Sequence, residues 1–399
     1  MTFITEFNNI MWGWVLAVIL LGTGLLYGIT MGFPQVRCFG HIIRSLKSTL
    51  KSDEGSVSGF AALCAAVGGQ VGTGSLVGVA SALAAGGPGA LFWMWITAVF
   101  GMVLSFGEAT LGQVFHEKDK DGNYYGGSPY YMTKGLGNKP LAIAYAVTTI
   151  FAVGVCIAML QNNSITSAVT GVVNISPWIP GIIVTIITAV IVLGGVKRIT
   201  DAASLIVPFM AVGYILITII IIITHLSEVP AMFGTFMTTI IICSCTGFAI
   251  LLTGALESDQ DGVNLVQAAF SSMLGQVGSY FVLLVTFLFC FTTLIADLFY
   301  GEVGVRYLFK GSANGADKAV KAFQVIALIL VTIGAALPLP VLWDLVDFCV
   351  AFLVFFNVYA LLRLRKYVKY VLDDYLMQFN SGKSEPVWDE SVDITEKCK

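Results

Sequence analysis

Between Gly68 and Gly74 the chain reads Gly-Gly-Gln-Val-Gly-Thr-Gly, in the middle of an apolar stretch that runs from Gly59 to Ala85. A lipid-facing helix would carry leucine, isoleucine and valine there, because glycine costs about 1 kcal/mol against alanine in a helix interior. Backbone groups freed at membrane depth persist only where protein or a water-filled cavity satisfies them. The stretch therefore predicts a broken helix that lines a solute site, not a plain span.

Such a break has meaning only if the chain is embedded in a bilayer, and composition supports that. Of 399 residues, 57% are hydrophobic and 11% charged, and mean hydropathy is +0.86; a soluble domain carries about 25% charged residues. The fold class expected is an all-α polytopic membrane protein. A net charge of −3 says little, since in such chains the placement of charge matters more than its sum. No basic stripe supports nucleic-acid binding. Six of the eight cysteines (Cys64, Cys156, Cys243, Cys245, Cys290, Cys349) lie in apolar segments and no CxxC pair occurs, so neither a disulfide framework nor a zinc site is indicated. The first apolar run, Met11 to Phe33, has no basic residue before it and no small-residue cleavage site after it, and reads as a retained span. No hydrolase, kinase or redox constellation is present, and no Walker loop to energise a pump. The expectation is a protein that is not an enzyme and needs no organic cofactor.

At about 20 apolar residues per span, membrane helices are expected at 11–33, 59–85, 89–115, 141–171, 177–195, 203–224, 232–254, 277–300, 322–337 and 341–362. Lys and Arg test this, because short cytoplasmic loops collect them. In the first half the pattern is clean: Arg37, Arg44, Lys47 and Lys51 fall in 34–58, Lys118, Lys120, Lys134 and Lys139 in 116–140, and Lys197 and Arg198 in 196–202. The intervening loops hold none, which puts the N-terminus outside. Past residue 232 strict alternation fails. Loop 255–276, with Glu257, Asp259 and Asp261 and no base, would be cytoplasmic, while Arg306, Lys310, Lys318, Lys321 and the tail from Arg363 would be outside. One more crossing between about His225 and Gly234 would restore every loop, yet few residues are available there.

Residues 57 to 115, from VSGFAALCAAVGGQVGTGSLVGVA to SFGEATLGQVF, followed by YYGGSPYYMTKGLG, resemble the sodium:alanine/glycine symporter family, the amino acid carrier proteins. WGWVLAVILLGTGLLYGITMGFPQVR, MLQNNSI, IIICSCTGFAILLTG, FTTLIADLFYGE and VLWDLVDFCVAFLVFFNVYALL extend the resemblance over nearly the whole chain. It implies a leucine-transporter-like inverted repeat: an extra N-terminal helix, then two inverted five-helix repeats holding substrate and sodium midway across the membrane. It also implies, between the regions matching Glu228 to Phe233 and Phe236 to Thr239, a segment with a serine-asparagine-glutamate-alanine-glycine motif that is absent here. That segment would supply the inverted counterpart of the glycine-broken helix. Ser75 stands where the family usually has asparagine, and Thr238 where an aspartate is common. The expected division is an extra span (1–33), a basic cytoplasmic loop (34–58), a first repeat (59–228), an incomplete second repeat of four spans (229–366) and a cytoplasmic tail (367–399).

On this pattern Gly69, Gln70, Gly72, Thr73 and Gly74 are expected to bind substrate, freed amides meeting an amino acid carboxylate and carbonyls a cation. The competing reading is close packing of small-xxx-small pairs, Gly68 with Gly72 and Gly74 with Gly78. Thr292 and Thr293, with Thr73, are expected at a sodium site, although helical threonines also bond their own backbone. Gln161, in a polar cluster with Asn162, Asn163 and Ser164, either touches substrate or joins helices. Glu108, Asp297 and Glu302 fall toward the cytoplasmic ends of their spans and read as anchors or gates. Asp344 suits either a helix start, meeting the positive dipole end, or an outer gate with Trp343. The function expected is secondary transport in the cell membrane of a prokaryote, sodium driving a small neutral amino acid inward. The alternative is a transport-defective member that lost one span of its site.

Overall fold

The computed structural model describes residues 2–42, 44, 59–118, 124–224, 238–258, 260–311, 313–383, 388, 389, 392 and 394–398, with side chains at 59, 217–224, 238–242, 313, 314 and 396 excepted. The junction at 229–236, where the sequence asks for another crossing, lies outside these residues.

Apolar runs without water to bond their backbone must be helical, and nearly every described element is a helix. In chain order these are α1 (Thr2–Met31), α2 (Pro34–Arg37), α3 (Gly59–Gln70), α4 (Gly74–Gly86), α5 (Gly89–Val114), α6 (Ser128–Lys134), α7 (Lys139–Val172), α8 (Trp178–Val192), α9 (Val196–Thr224), α10 (Thr238–Leu252), α11 (Gly262–Leu274), α12 (Gln276–Leu308), α13 (Ala313–Gly334), α14 (Leu339–Asn380) and α15 (Ile394–Lys397). A two-stranded hairpin pairs Glu117 with Tyr125 and Lys118 with Tyr124. Among the described residues six helices are long and apolar enough to cross a membrane, and the bent pair α3 and α4 makes a seventh. The shorter α8 and α10 and the partly charged α13 occupy the other expected spans. The chain is thus an all-helical, multi-pass membrane protein.

Several helices outrun their expected spans: α1 begins at Thr2, α9 at Val196 and α13 at Ala313. Helix α12 runs to Leu308, past the expected end at 300, and α14 runs to Asn380, past 362. In α12 the extension carries Glu302 and Arg306, which pair at 2.9 Å. An ion pair one turn apart adds about 0.2–0.5 kcal/mol to the stability of the helix there.

Helix α12 is the axis of the molecule. Its middle, residues 289–298, is buried on every side, with Phe289, Cys290, Leu294, Ile295 and Leu298 all at 1% exposure or less. Its close approach to α7 depends on two glycines: a Cβ added at Gly154 would lie 2.8 Å from the Cα of Gly301. Around α12 sit two apolar clusters, one joining α3, α4, α9, α10 and α11, the other joining α7, α8 and α13. A third, under α1, α5, α6 and α14, closes the end of the bundle that carries the hairpin.

Candidate functional site

The helix break expected at Gly68 to Gly74 is present. Helices α3 and α4 meet at 46°. The first closes with Val71 N–H to Val67 O at 3.0 Å, and the next turn is opened by Ser75 N–H to Gly72 O at 3.0 Å. The turn Gly74–Gly78 is a π-helix, a loosening frequent at functional sites. Side chains of other helices take up what the backbone gives away. Thr73 N–H donates to Gln161 Oε1 on α7 at 2.9 Å, and Thr73 Oγ1 donates to the same oxygen at 2.7 Å. On α12, Thr293 Oγ1 donates to Gly68 O at 2.8 Å. Thr73 and Gln161 are 0% and 3% exposed. The break is therefore cross-braced from two neighbouring helices.

The glycines divide into two groups. A Cβ at Gly72 would lie 2.5 Å from Thr293 Oγ1 and 2.8 Å from Gln161 Oε1; at Gly69 it would lie 2.8 Å from Tyr300 Oη, and at Gly68 2.9 Å from a Val207 methyl. These three glycines serve close approach. Gly74 meets nothing within 4 Å and is exposed, as are Ala62, Ala66 and Gln70 at four-residue intervals before it. This strip is one open face of the broken helix, with the amide of Gln70 upon it.

The structure brings Gly72, Thr73, Gln161 and Thr293 into one buried polar centre. Thr292 lies beside it, its hydroxyl turned to Leu288 O and Phe289 O at 3.1 and 3.0 Å, while its Cβ backs Gly68. Gln70 and Gly74 stand on the open face. Trp343 and Asp344 are elsewhere, at the start of α14. Asp344 Oδ2 accepts from Thr5 Oγ1 at 2.8 Å, and its carbonyl from Asn8 Nδ2 at 2.9 Å, contacts that fasten the extra helix α1. Trp343 packs between the first two apolar clusters. Asn162 and Asn163 join helices: their amides donate to Val331 O at 3.0 Å and to Leu337 O at 2.8 Å.

Asp297 is where position along the sequence misled. It does not stand near the end of its helix; it lies one turn after Thr293, 3% exposed, with Gln161 in hydrogen-bonding reach. Glu108 and Glu302 are placed as expected, in polar networks toward the hairpin end. Glu108 accepts from Asn357, which in turn accepts from Tyr131. A polar cavity of about 710 Å³ opens there, lined by Glu108, His116, Ser128 and Tyr131.

Known proteins are similar to this chain in sequence. The profile of the sodium:alanine symporter family matches residues 1–235 and 230–390. YrbD of Bacillus subtilis, provisionally named a sodium/proton-dependent alanine carrier protein, is 32% identical over 97% of this chain and 94% of its own. The sodium/alanine symporter AgcS of Methanococcus maripaludis is 29% identical over 85% and 89%, and the amino-acid carrier protein AlsT of Bacillus subtilis 28% over 91% and 90%. The span aligned with YrbD is 462 residues, longer than the 399-residue chain, so YrbD carries residues with no counterpart here, and the two pieces of the family match meet at 230–235. A braced helix break in a multi-pass chain thus accompanies a match from end to end: this chain belongs to the sodium:alanine symporter family, a family of transporters and not of enzymes.

Proposed function

We propose that the chain is a secondary transporter of a prokaryotic cell membrane that couples inward movement of a small neutral amino acid, alanine or glycine, to sodium. The observation that carries this reading is the break itself, whose backbone at Gly68 and Thr73 is held by Thr293 and Gln161 from two other helices. Freed amides near Gly72 to Gly74 suit a carboxylate, and the neutral oxygens of Thr73, Thr292 and Thr293 suit sodium, a hard cation that takes oxygen ligands. The family's sodium coupling and the alanine in two relatives' names support the same substrate pair. In the leucine-transporter-like arrangement, sodium would brace the two half-helices and the first repeat would rock against the second.

A second reading, a member that has lost transport, is favoured by one specific feature. The face of Ala62, Ala66, Gln70 and Gly74 is open, and the family match is divided at the place where the facing helix of the second repeat is expected. Labelled alanine and glycine uptake into proteoliposomes, with an inward sodium gradient and a potassium control, decides between them. Accumulation that requires sodium supports the symporter. No uptake by folded, inserted protein supports the second reading.

A further inference from the structure

Among the described residues, Asp297 is a buried carboxyl group with one oxygen unpartnered and no cationic side chain beside it. It is 3% exposed, its Oδ2 has no hydrogen-bond partner, and it takes part in none of the ion pairs. Glu302, one and a half turns along the same helix, shows the usual remedy, with Arg306 and Gln324 at its two oxygens. An isolated carboxylate in a dry interior costs several kcal/mol, and ionisable groups at membrane depth mark ion pathways.

The surroundings say what kind of partner fits. Ala296 and Tyr300, either side of Asp297 in sequence, pack against Gly69, where an added Cβ would lie 3.1 Å from Ala296 Cβ and 2.8 Å from Tyr300 Oη. Thr293, one turn of about 5.4 Å earlier, bonds Gly68 O, and Gln161 approaches from α7. The carboxylate thus faces the braced helix break among neutral oxygens. No cluster of three or more His, Cys, Asp or Glu side chains is present among the described residues, and Asp297 brings one carboxyl group. That balances one positive charge and not two.

We propose that Asp297 is a ligand for a monovalent cation bound between α12 and the broken helix, and that it supplies the site with a negative charge when that cation is bound. The inference rests on the symport reading and adds to it a ligand beyond the threonine hydroxyls. The same chemistry comes from two sources, a sodium ion or the ammonium group of the amino acid, and the test separates them.

Purified full-length protein in detergent, at one fixed pH, is titrated with sodium alone and then with alanine at saturating sodium, following the shift in melting temperature. Asp297→Asn is expected to weaken one of the two responses by about tenfold or more, the usual loss when a contact to a charged group is removed. Weaker sodium binding with no amino acid present assigns the charge to sodium; unchanged sodium binding with weaker alanine binding assigns it to the ammonium. Both responses within twofold of the wild type overturn the inference and leave the symport reading standing. A wild type that answers to neither ligand overturns both. Should Asp297→Asn not fold, Asp297→Glu moves the charge by one methylene. A change of about threefold in the lithium-to-sodium affinity ratio, or in alanine affinity, then supports the site, and no change in either overturns it.

Discussion

Replacing Gly72 by alanine places a methyl group in the most crowded part of the helix break. The new Cβ would lie 2.5 Å from Thr293 Oγ1 and 2.8 Å from both Thr293 Cβ and Gln161 Oε1, closer than unbonded atoms tolerate. Neither neighbour can step aside cheaply. Thr293 Oγ1 holds Gly68 O at 2.8 Å, and Gln161 Oε1 takes two hydrogen bonds from Thr73, at 2.9 and 2.7 Å. Overpacking a tight interior costs about 1–3 kcal/mol, and each buried hydrogen bond broken adds about 1 kcal/mol. Alanine's helix propensity returns at most about 1 kcal/mol, and less at a position outside regular helix. A net cost of about 2–4 kcal/mol follows. If about 3 kcal/mol of it falls on the ligand-bound state, affinity drops by more than about a hundredfold. Gly74→Ala is the control, because its Cβ would meet nothing within 4 Å and helix propensity there favours alanine. The assays are melting temperature in detergent and sodium-dependent alanine uptake in proteoliposomes. Gly72→Ala is expected to lower both, and Gly74→Ala to leave the melting temperature unchanged or raised. Wild-type melting and uptake in Gly72→Ala, or an equal fall in melting for Gly74→Ala, would refute the packing argument.

Two further outcomes concern the charged groups away from the break. Glu302→Ala strands Arg306 and Gln324, which the carboxylate holds at 2.9 and 3.1 Å; Arg306 keeps Asp317 at 3.0 Å, so the expected cost is about 2–3 kcal/mol, read as a lowered melting temperature, and an unchanged melting temperature contradicts it. Asp344→Ala removes the acceptor of Thr5 and loosens α1 by about 1 kcal/mol, with the alanine half-saturation unchanged. A shifted half-saturation at constant melting temperature would instead make Asp344 part of an outer gate.

The parts of this molecule legible in the sequence are those set by local chemistry. Apolar runs must become helices when no water is available, so each expected span is occupied by a helix. A glycine cluster in such a run must break it, and the break is where Gly68 to Gly74 put it. What could not be read was depth and pairing. Asp297 reads as a residue near the end of a span because the expected helix stops at 300; the observed one continues to Leu308. What places Asp297 is its burial, 3% exposed, and Gln161 of α7 in reach, and neither follows from position along the chain. In the same way the sequence allowed Gln161 two roles, substrate contact or interhelical bonding, and only the fold showed its oxygen committed to the backbone and hydroxyl of Thr73. That commitment couples the two roles. A ligand that takes up the Thr73 hydroxyl or amide would compete with Gln161, and Gln161 is also in hydrogen-bonding reach of Asp297. If the break binds the amino acid and Asp297 the cation, as proposed, both act on Gln161, and that shared side chain would couple them.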